Sequence, residues 1–115
     1  PHMSDHIKSH YADGRWVVRA GGAVLGESTN ALELHEGAGA PVIYFPRADF
    51  AMAFLTPSDR TSTCPHKGKA SYYSIEAKSG PIKDAVWSYE TPIDGMERIA
   101  GHLAFYTDRV TVEQV

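Results

Sequence analysis

Short runs rich in β-branched and aromatic residues recur along this chain between turn signals, and they restrict its fold more than any other feature. No segment keeps a helical period for more than about three turns, so the runs favour strands over helices. The clearest pair is Arg15–Arg19 and Val24–Ser28, which flank Gly21-Gly22. Because glycine adopts the positive φ values of a tight primed turn, these segments predict a β-hairpin.

A third strand is predicted at Ala31–Glu36, where apolar and polar residues alternate. Successive side chains of a strand point to opposite faces, so Leu32 and Leu34 are expected on one face and Glu33 with His35 on the other. A Glu–His couple of this kind suggests a metal site, but two ligands are too few without a third from elsewhere. We therefore expect no metal and no cofactor.

The rest of the chain follows the same pattern of short segments between turns. Further strands are predicted at 42–45, 71–76, 84–89, 102–106 and 110–112, the last two pairing across Thr107-Asp108, and helical turns at 47–55 and 95–100. The expected fold class is mainly β and antiparallel, with one or two short helices.

Length and composition indicate one globular domain. A chain of 115 residues, 43% hydrophobic and 22% charged, matches a single packed core. Pro1-His2-Met3 is interpreted as the remnant of an affinity tag, and residues 1–13 as tag remnant plus a flexible N-terminus, which leaves 14–115 as the domain. No stretch approaches the roughly 18–20 continuous apolar residues of a membrane span, so no membrane partner is expected.

Charge and cysteine content narrow the partners and the compartment. A formal net charge of −3 argues against nucleic-acid binding, which normally requires a basic surface. The single cysteine forms no internal disulfide and excludes the cysteine-rich zinc patterns. A reducing, cytoplasmic location is therefore expected. The residues leave the choice between monomer and homodimer open.

The densest run of reactive groups is Thr63-Cys64-Pro65-His66-Lys67-Gly68. Neighbouring cations favour a thiolate, so Cys64 is a candidate nucleophile assisted by Lys67, although free cysteines are more often packed as small apolar groups. Lys67 and Gly68 also suggest an anion site, with a salt bridge and an ordinary turn as the alternative. Cys64 and Lys67 are thus the candidate catalytic residues.

Aromatic residues supply the candidate binding site. The tyrosines and tryptophan of the later strands are Tyr44, Tyr72, Tyr73, Trp87, Tyr89 and Tyr106. Some of them must be core, and the others are expected to wall an apolar cleft of the kind that binds small ligands. The predicted ligand-binding residues are Tyr44, Lys67, Tyr73, Trp87, Tyr89 and Arg19.

Four separated motifs make the chain resemble a bacterial family known as domain of unknown function 427, sometimes given a nucleotidyltransferase-like label. They are Tyr44-Phe45-Pro46-Arg47-Ala48-Asp49, then 63–73 from Thr63-Cys64-Pro65 to Ser71-Tyr72-Tyr73, Trp87-Ser88-Tyr89 with Pro92, and 99–106 from Ile99-Ala100-Gly101-His102 to Phe105-Tyr106. The resemblance implies a β-tent-like fold, in which two antiparallel sheets lean together at one end. Fold relatives carry zinc on paired cysteines, which this chain lacks, and the family implies no established activity.

Three functional hypotheses follow. The first is a domain that binds a small ligand, anionic or nucleotide-like, in an aromatic cleft between the sheets. The second is a thiol-dependent enzyme that uses Cys64. The third is a structural or protein-interaction domain without a pocket.

Overall fold

The computed structural model describes residues 6–115, and its regular structure is almost entirely strand. The strands are β1 (Ile7–Tyr11), β2 (Trp16–Ala20), β3 (Ala23–Ser28), β4 (Leu32–Glu36), β5 (Val42–Tyr44), β6 (Leu55–Cys64), β7 (Gly68–Ala77), β8 (Gly80–Ser88), β9 (Ala104–Phe105) and β10 (Thr111–Gln114). Three 3₁₀ turns complete it, at Arg47–Asp49, Met52–Phe54 and Glu97–Ile99. The mainly β class is confirmed. The predicted short helices are corrected to these three-residue turns, which lack the length to propagate an α-helix.

The strands form three antiparallel sheets, where the resemblance implied two. Their orders are β1-β4-β5, β10-β2-β3 and β6-β7-β8-β9. The β2–β3 hairpin turns at Gly21 and Gly22, whose φ values are 55° and 81°, as predicted. The predicted pairing of the last two segments is wrong: β9 pairs with β8, and β10 pairs with β2 to complete the sheet β10-β2-β3. The sheet β10-β2-β3 thus depends on strands distant in sequence.

Two strands were not predicted, because their sequences lack an apolar alternation. β6 is a polar edge strand, Leu55–Cys64, that pairs only with β7 in its sheet. Its sequence LTPSDRTSTC offers neither an alternating pattern nor a buried face. β1 lies within residues assigned above to a flexible N-terminus, and it pairs along its whole length with β4. Residues 1–3, which we interpret as the remnant of a tag, lie outside the described residues.

The core divides into two clusters. The first contains phenylalanine and aliphatic residues, with the rings of Phe45, Phe50 and Phe105 in mutual contact at centroid distances of 5.2–5.9 Å. The second is rich in tyrosine and includes Leu32 and Leu34 on the predicted inner face of β4. Tyrosine carries a polar group into this second cluster, which makes it the chemically more versatile one.

The sheets β1-β4-β5 and β6-β7-β8-β9 are joined through the backbone by a pair of hydrogen bonds. Phe45, after β5, exchanges both backbone hydrogen bonds with Leu103, just before β9, and each N···O distance is 2.8 Å. Both side chains are fully buried. This junction fixes the sheet β1-β4-β5 against the sheet β6-β7-β8-β9. Among residues 6–115, no helix is long and apolar enough to span a bilayer.

Candidate functional site

A cavity of about 550 Å³ lies between those two joined sheets. One wall comes from β4, β5 and the loop that connects them, and the other from the turn between β6 and β7, from β7 and β8, and from the segments that follow β8 and β9. The lining residues are Leu34, Glu36, Gly39, Ala40, Val42, Tyr44, Lys67, Tyr72, Trp87, Tyr89 and Tyr106. The cavity thus combines five aromatic side chains with one cation and one carboxylate.

Tyr44 and Trp87 form the centre of the aromatic wall. The Trp87 indole N–H donates to the Tyr44 hydroxyl at 3.3 Å, and the two rings meet edge to face with centroids 6.3 Å apart. Tyr44 is almost completely buried, and burial is the main reason that its pKa rises to about 12. The phenol therefore stays protonated at neutral pH. Its bond to Trp87 fixes the indole against the cavity.

Trp87 and Tyr106 separate this cavity from a second one. Their rings pack at 4.6 Å between centroids, and both residues line both cavities. The second cavity, about 630 Å³, is bounded by Trp16 and Phe105 and has Glu33 and Asp108 at its edge. The aromatic pair is thus part of the lining of both cavities.

Lys67 and Glu36 form an ion pair in the first cavity. The Lys67 Nζ donates to Glu36 Oε1 at 2.5 Å and lies 6.0 Å from the centre of the Tyr89 ring. Only 8% of Lys67 is exposed, whereas the Glu36 side chain is 38% exposed. The pair therefore has one buried and one hydrated partner.

The pKa directions follow from this contact. Burial by itself would lower the pKa of Lys67, but the hydrogen bond to Glu36 and the influence of Cys64 and Tyr89 raise it above 10.5. The same hydrogen bond lowers the pKa of Glu36 below 4.5, against the opposing effect of burial. Both groups are charged at neutral pH, so the pair adds no net charge to the cavity.

The turn that carries Lys67 is held by the backbone. The Lys67 N–H donates to the Cys64 carbonyl at 3.2 Å, and the Ile93 N–H donates to the Lys67 carbonyl at 3.0 Å. Gly68 has a φ of 114°, and a Cβ there would approach Pro92 and Ile93 to 3.3–3.4 Å. Glycine at this position therefore serves the turn and its packing against the segment at 92–93.

Cys64 is the last residue of β6, three residues before Lys67, and it is not among the residues that line the cavity. It is half-buried and packs against the tyrosine-rich core cluster. The neighbouring imidazole, His66, faces His6 at a centroid distance of 4.6 Å. Of the two candidate catalytic residues, Lys67 thus lines the cavity with its ammonium bonded to Glu36, and Cys64 does not line it.

The structure gathers four of the six predicted ligand-binding residues in the first cavity: Tyr44, Lys67, Trp87 and Tyr89. Tyr73 does not line it, because its hydroxyl accepts from Arg47 at 3.0 Å and donates to Glu90 at 2.8 Å. Arg19 lies in the sheet β10-β2-β3, where it pairs with Glu113 at 3.0 Å. These two residues therefore contribute to other parts of the fold.

Glu36 is the charged cavity residue that was not among the predicted site residues. It follows Leu32 and Leu34 at the same spacing of two, so the alternation of β4 already indicated that its side chain would share their inner face. On the opposite face of β4, the side chains of Glu33 and His35 lie close to that of His10 from β1. Among residues 6–115, these three are the only His, Cys, Asp or Glu side chains grouped closely enough to hold a metal ion.

Fold and site together define a small all-β domain with an aromatic cavity between two sheets and an ion pair inside it. The chain belongs to the family described as Domain of unknown function (DUF427), whose sequence model matches residues 9–115. The resemblance carried by the four motifs is thereby confirmed. A comparison with curated proteins finds no match.

Proposed function

We propose that this protein binds a small planar ligand of the nucleoside class in the cavity between the two joined sheets. The observation that supports this proposal best is the cavity itself. Its volume of about 550 Å³ lies within the roughly 300–1,000 Å³ typical of ligand pockets. Aromatic walls with a few convergent polar groups are the usual composition of such sites.

The polar groups favour a ligand without a strong charge. Lys67 offers N–H donors, Glu36 offers carboxylate acceptors, and their contact at 2.5 Å cancels the net charge. A phosphate or carboxylate ligand would have to displace Glu36 from Lys67 and leave that carboxylate unpaired. A flat heterocycle with a donor beside an acceptor, such as a nucleobase, can bond to both partners and stack on Trp87.

A titration with matched variants tests this proposal. Nucleosides, the corresponding 5′-monophosphates and small carboxylates are compared by calorimetry and thermal shift on the wild type, Glu36→Gln and Asp108→Asn. Both substitutions exchange a carboxylate for an amide, but Glu36 lines only the first cavity and Asp108 only the second. The second variant is therefore the control for a general change of surface charge.

We expect saturable binding of at least one nucleoside, weakened by Glu36→Gln and unchanged by Asp108→Asn. If anions are the true ligands, Glu36→Gln should instead tighten monophosphate or carboxylate binding, because it frees Lys67. A panel without any binder would contradict the proposal, as would equal losses in both variants.

The thiol-dependent enzyme is the second candidate, and the position of Cys64 beside Lys67 is what favours it. Against it, Lys67 is bonded to Glu36 and Cys64 packs against tyrosines. Alkylation by iodoacetamide over a pH series separates the two candidates. Rapid modification of the folded protein below the ordinary thiol pKa of about 8.5 would support the enzyme. Slow modification until denaturant is added would support a packed cysteine.

Two finer expectations belong to the same proposal. We infer that the two joined sheets correspond to the leaning sheets of a β-tent, supported by the junction of Phe45 with Leu103. The cytoplasmic location rests on the lone cysteine. The choice between monomer and homodimer can be decided by light scattering.

A further inference from the structure

The outer face of β4 carries a second chemically distinctive cluster, away from Lys67 and Glu36. β1 and β4 are antiparallel, and their register places His10 directly opposite Glu33. His35 is two residues further along β4, so it lies on the same face as Glu33. Two imidazoles and one carboxylate from adjacent strands therefore converge on one spot of the sheet.

The donor atoms are already close. Glu33 Oε2 lies 2.6 Å from His35 Nε2 and 3.7 Å from His10 Nε2, and the three donor atoms lie within 4.8 Å of one another. The two imidazole rings are stacked with centroids 5.3 Å apart. Donors around a tetrahedral zinc ion are separated by roughly 3.3 Å, given zinc–nitrogen bonds of about 2.0–2.1 Å. The two distances from Glu33 differ from that spacing by about 0.7 and 0.4 Å, and the distance between the two imidazole nitrogens differs from it by at most about 1.5 Å.

The hydrogen bond on the far side of the His10 ring prepares it for this role. Its Nδ1 lies 3.1 Å from the Tyr11 carbonyl oxygen, which can only accept, so Nδ1 carries the proton. The lone pair of the neutral ring is then on Nε2, the atom that points toward Glu33. Metal-binding histidines commonly have their second nitrogen fixed in this way.

We propose that His10, Glu33 and His35 form a binding site for a divalent transition-metal ion, with Zn²⁺ as the preferred ion. Imidazole nitrogen and carboxylate oxygen suit zinc and its neighbours, whereas Ca²⁺ and Mg²⁺ prefer sites made of oxygen alone. Three protein donors leave a fourth position for water or another ligand. Since Glu33 also lines the second cavity, the ion would lie at the edge of that cavity.

The surroundings of the three side chains determine the metal affinity that we expect. The side chains of His10 and His35 are 60% and 40% exposed, so the site is open to solvent. Lys8 lies opposite His35 in the register of β1 and β4, and its charge opposes a cation there. We therefore expect a moderate affinity that rises when Lys8 is replaced by a neutral residue.

Calorimetric titration of the intact chain with ZnCl₂ tests the site, with CaCl₂ and MgCl₂ as ion controls. The variants are His10→Gln, Glu33→Gln and His35→Gln, and the matched control is His102→Gln. His102 resembles His10, because its Nδ1 also lies 3.1 Å from a backbone carbonyl, but it is outside the cluster. Cobalt substitution adds a spectroscopic readout, the visible absorption of tetrahedral Co²⁺.

We expect one Zn²⁺ per chain and no response to Ca²⁺ or Mg²⁺. Loss of a supporting residue around a metal typically weakens affinity about 10–100-fold, so loss of a direct ligand should cost at least about 10-fold. The control should keep the wild-type affinity and the cobalt spectrum. The proposal is overturned if the wild type binds no zinc at micromolar concentration, or if His10→Gln and His102→Gln bind it equally well. Circular dichroism confirms that each variant is folded, which the exposure of these side chains favours.

Discussion

The ion pair of Lys67 and Glu36 should respond very unequally to removal of its two partners. Glu36→Ala leaves the Lys67 ammonium buried, with 8% of the residue exposed and its acceptor gone. Lys67→Met leaves Glu36 with a side chain that is already 38% exposed and can turn to water. Methionine also retains the apolar stem that packs in the cavity. We therefore expect the glutamate substitution to be the more destabilising one.

The magnitudes follow from these exposures. A hydrogen bond to a charged group contributes about 1.5–3 kcal/mol, and we expect a loss of about 2 kcal/mol for Glu36→Ala. A pair whose remaining partner is hydrated is worth about 0–1 kcal/mol, so Lys67→Met should cost under about 1 kcal/mol. Glu36→Gln keeps a neutral acceptor for Lys67, so its cost should lie between those of Glu36→Ala and Lys67→Met. For a domain of this size, about 1 kcal/mol corresponds to about 4 °C in Tm.

Urea unfolding followed by tryptophan fluorescence, with differential scanning calorimetry, measures these differences. The double variant Glu36→Ala/Lys67→Met removes both charges and should be more stable than Glu36→Ala alone. His6→Gln is the control for the second, weaker contact of Glu36, at 3.7 Å. If Lys67→Met destabilises the protein as much as Glu36→Ala, the assignment of Lys67 as the dependent, buried partner is wrong.

Three other results are expected. The folded protein holds the pKa of Glu36 below 4.5, so the ion pair stabilises the fold above that pH. This contribution is lost as the pH falls through the lowered pKa, and the Tm of the wild type should decline between about pH 7 and 3. The decline should be less steep in Glu36→Gln. Tyr44→Phe removes the acceptor of the Trp87 indole and should cost about 1 kcal/mol in urea unfolding, with changed tryptophan emission. Gly68→Ala forces a side chain into a backbone with φ of 114° and should cost about 1–3 kcal/mol, and an unchanged Tm would refute this account of the turn.

Much of the fold was predictable because the signals are local. The hairpin at Gly21-Gly22 and the alternation of Leu32 with Leu34 depend on neighbouring residues only. The pairing of β10 with β2 could not be predicted, because it joins residues as far apart in sequence as Val112 and Val18. No local sequence pattern indicates which distant segments pair. The polar strand β6 could not be predicted either, because an edge strand need not alternate apolar and polar residues.

The candidate site likewise has features that local sequence predicts and features that depend on distant residues. Aromatic residues on later strands predicted an apolar cleft, and Tyr44, Trp87 and Tyr89 do line one cavity. The partner of Lys67 was not predictable, because Glu36 comes from a strand of a different sheet. Sequence position alone therefore made Lys67 resemble a free anion-binding group. Its contact with Glu36 is the reason that we propose an uncharged ligand for the cavity and not an anion.

The most direct test of the central proposal is a ¹H–¹⁵N NMR titration that follows the two tryptophan indole signals. The chain has two tryptophans, of which Trp87 lines both cavities and Trp16 only the second. Binding of a nucleoside in the first cavity should shift the Trp87 indole signal saturably and leave the Trp16 signal in place. A panel of nucleosides that moves neither signal, or only that of Trp16, would contradict the proposal.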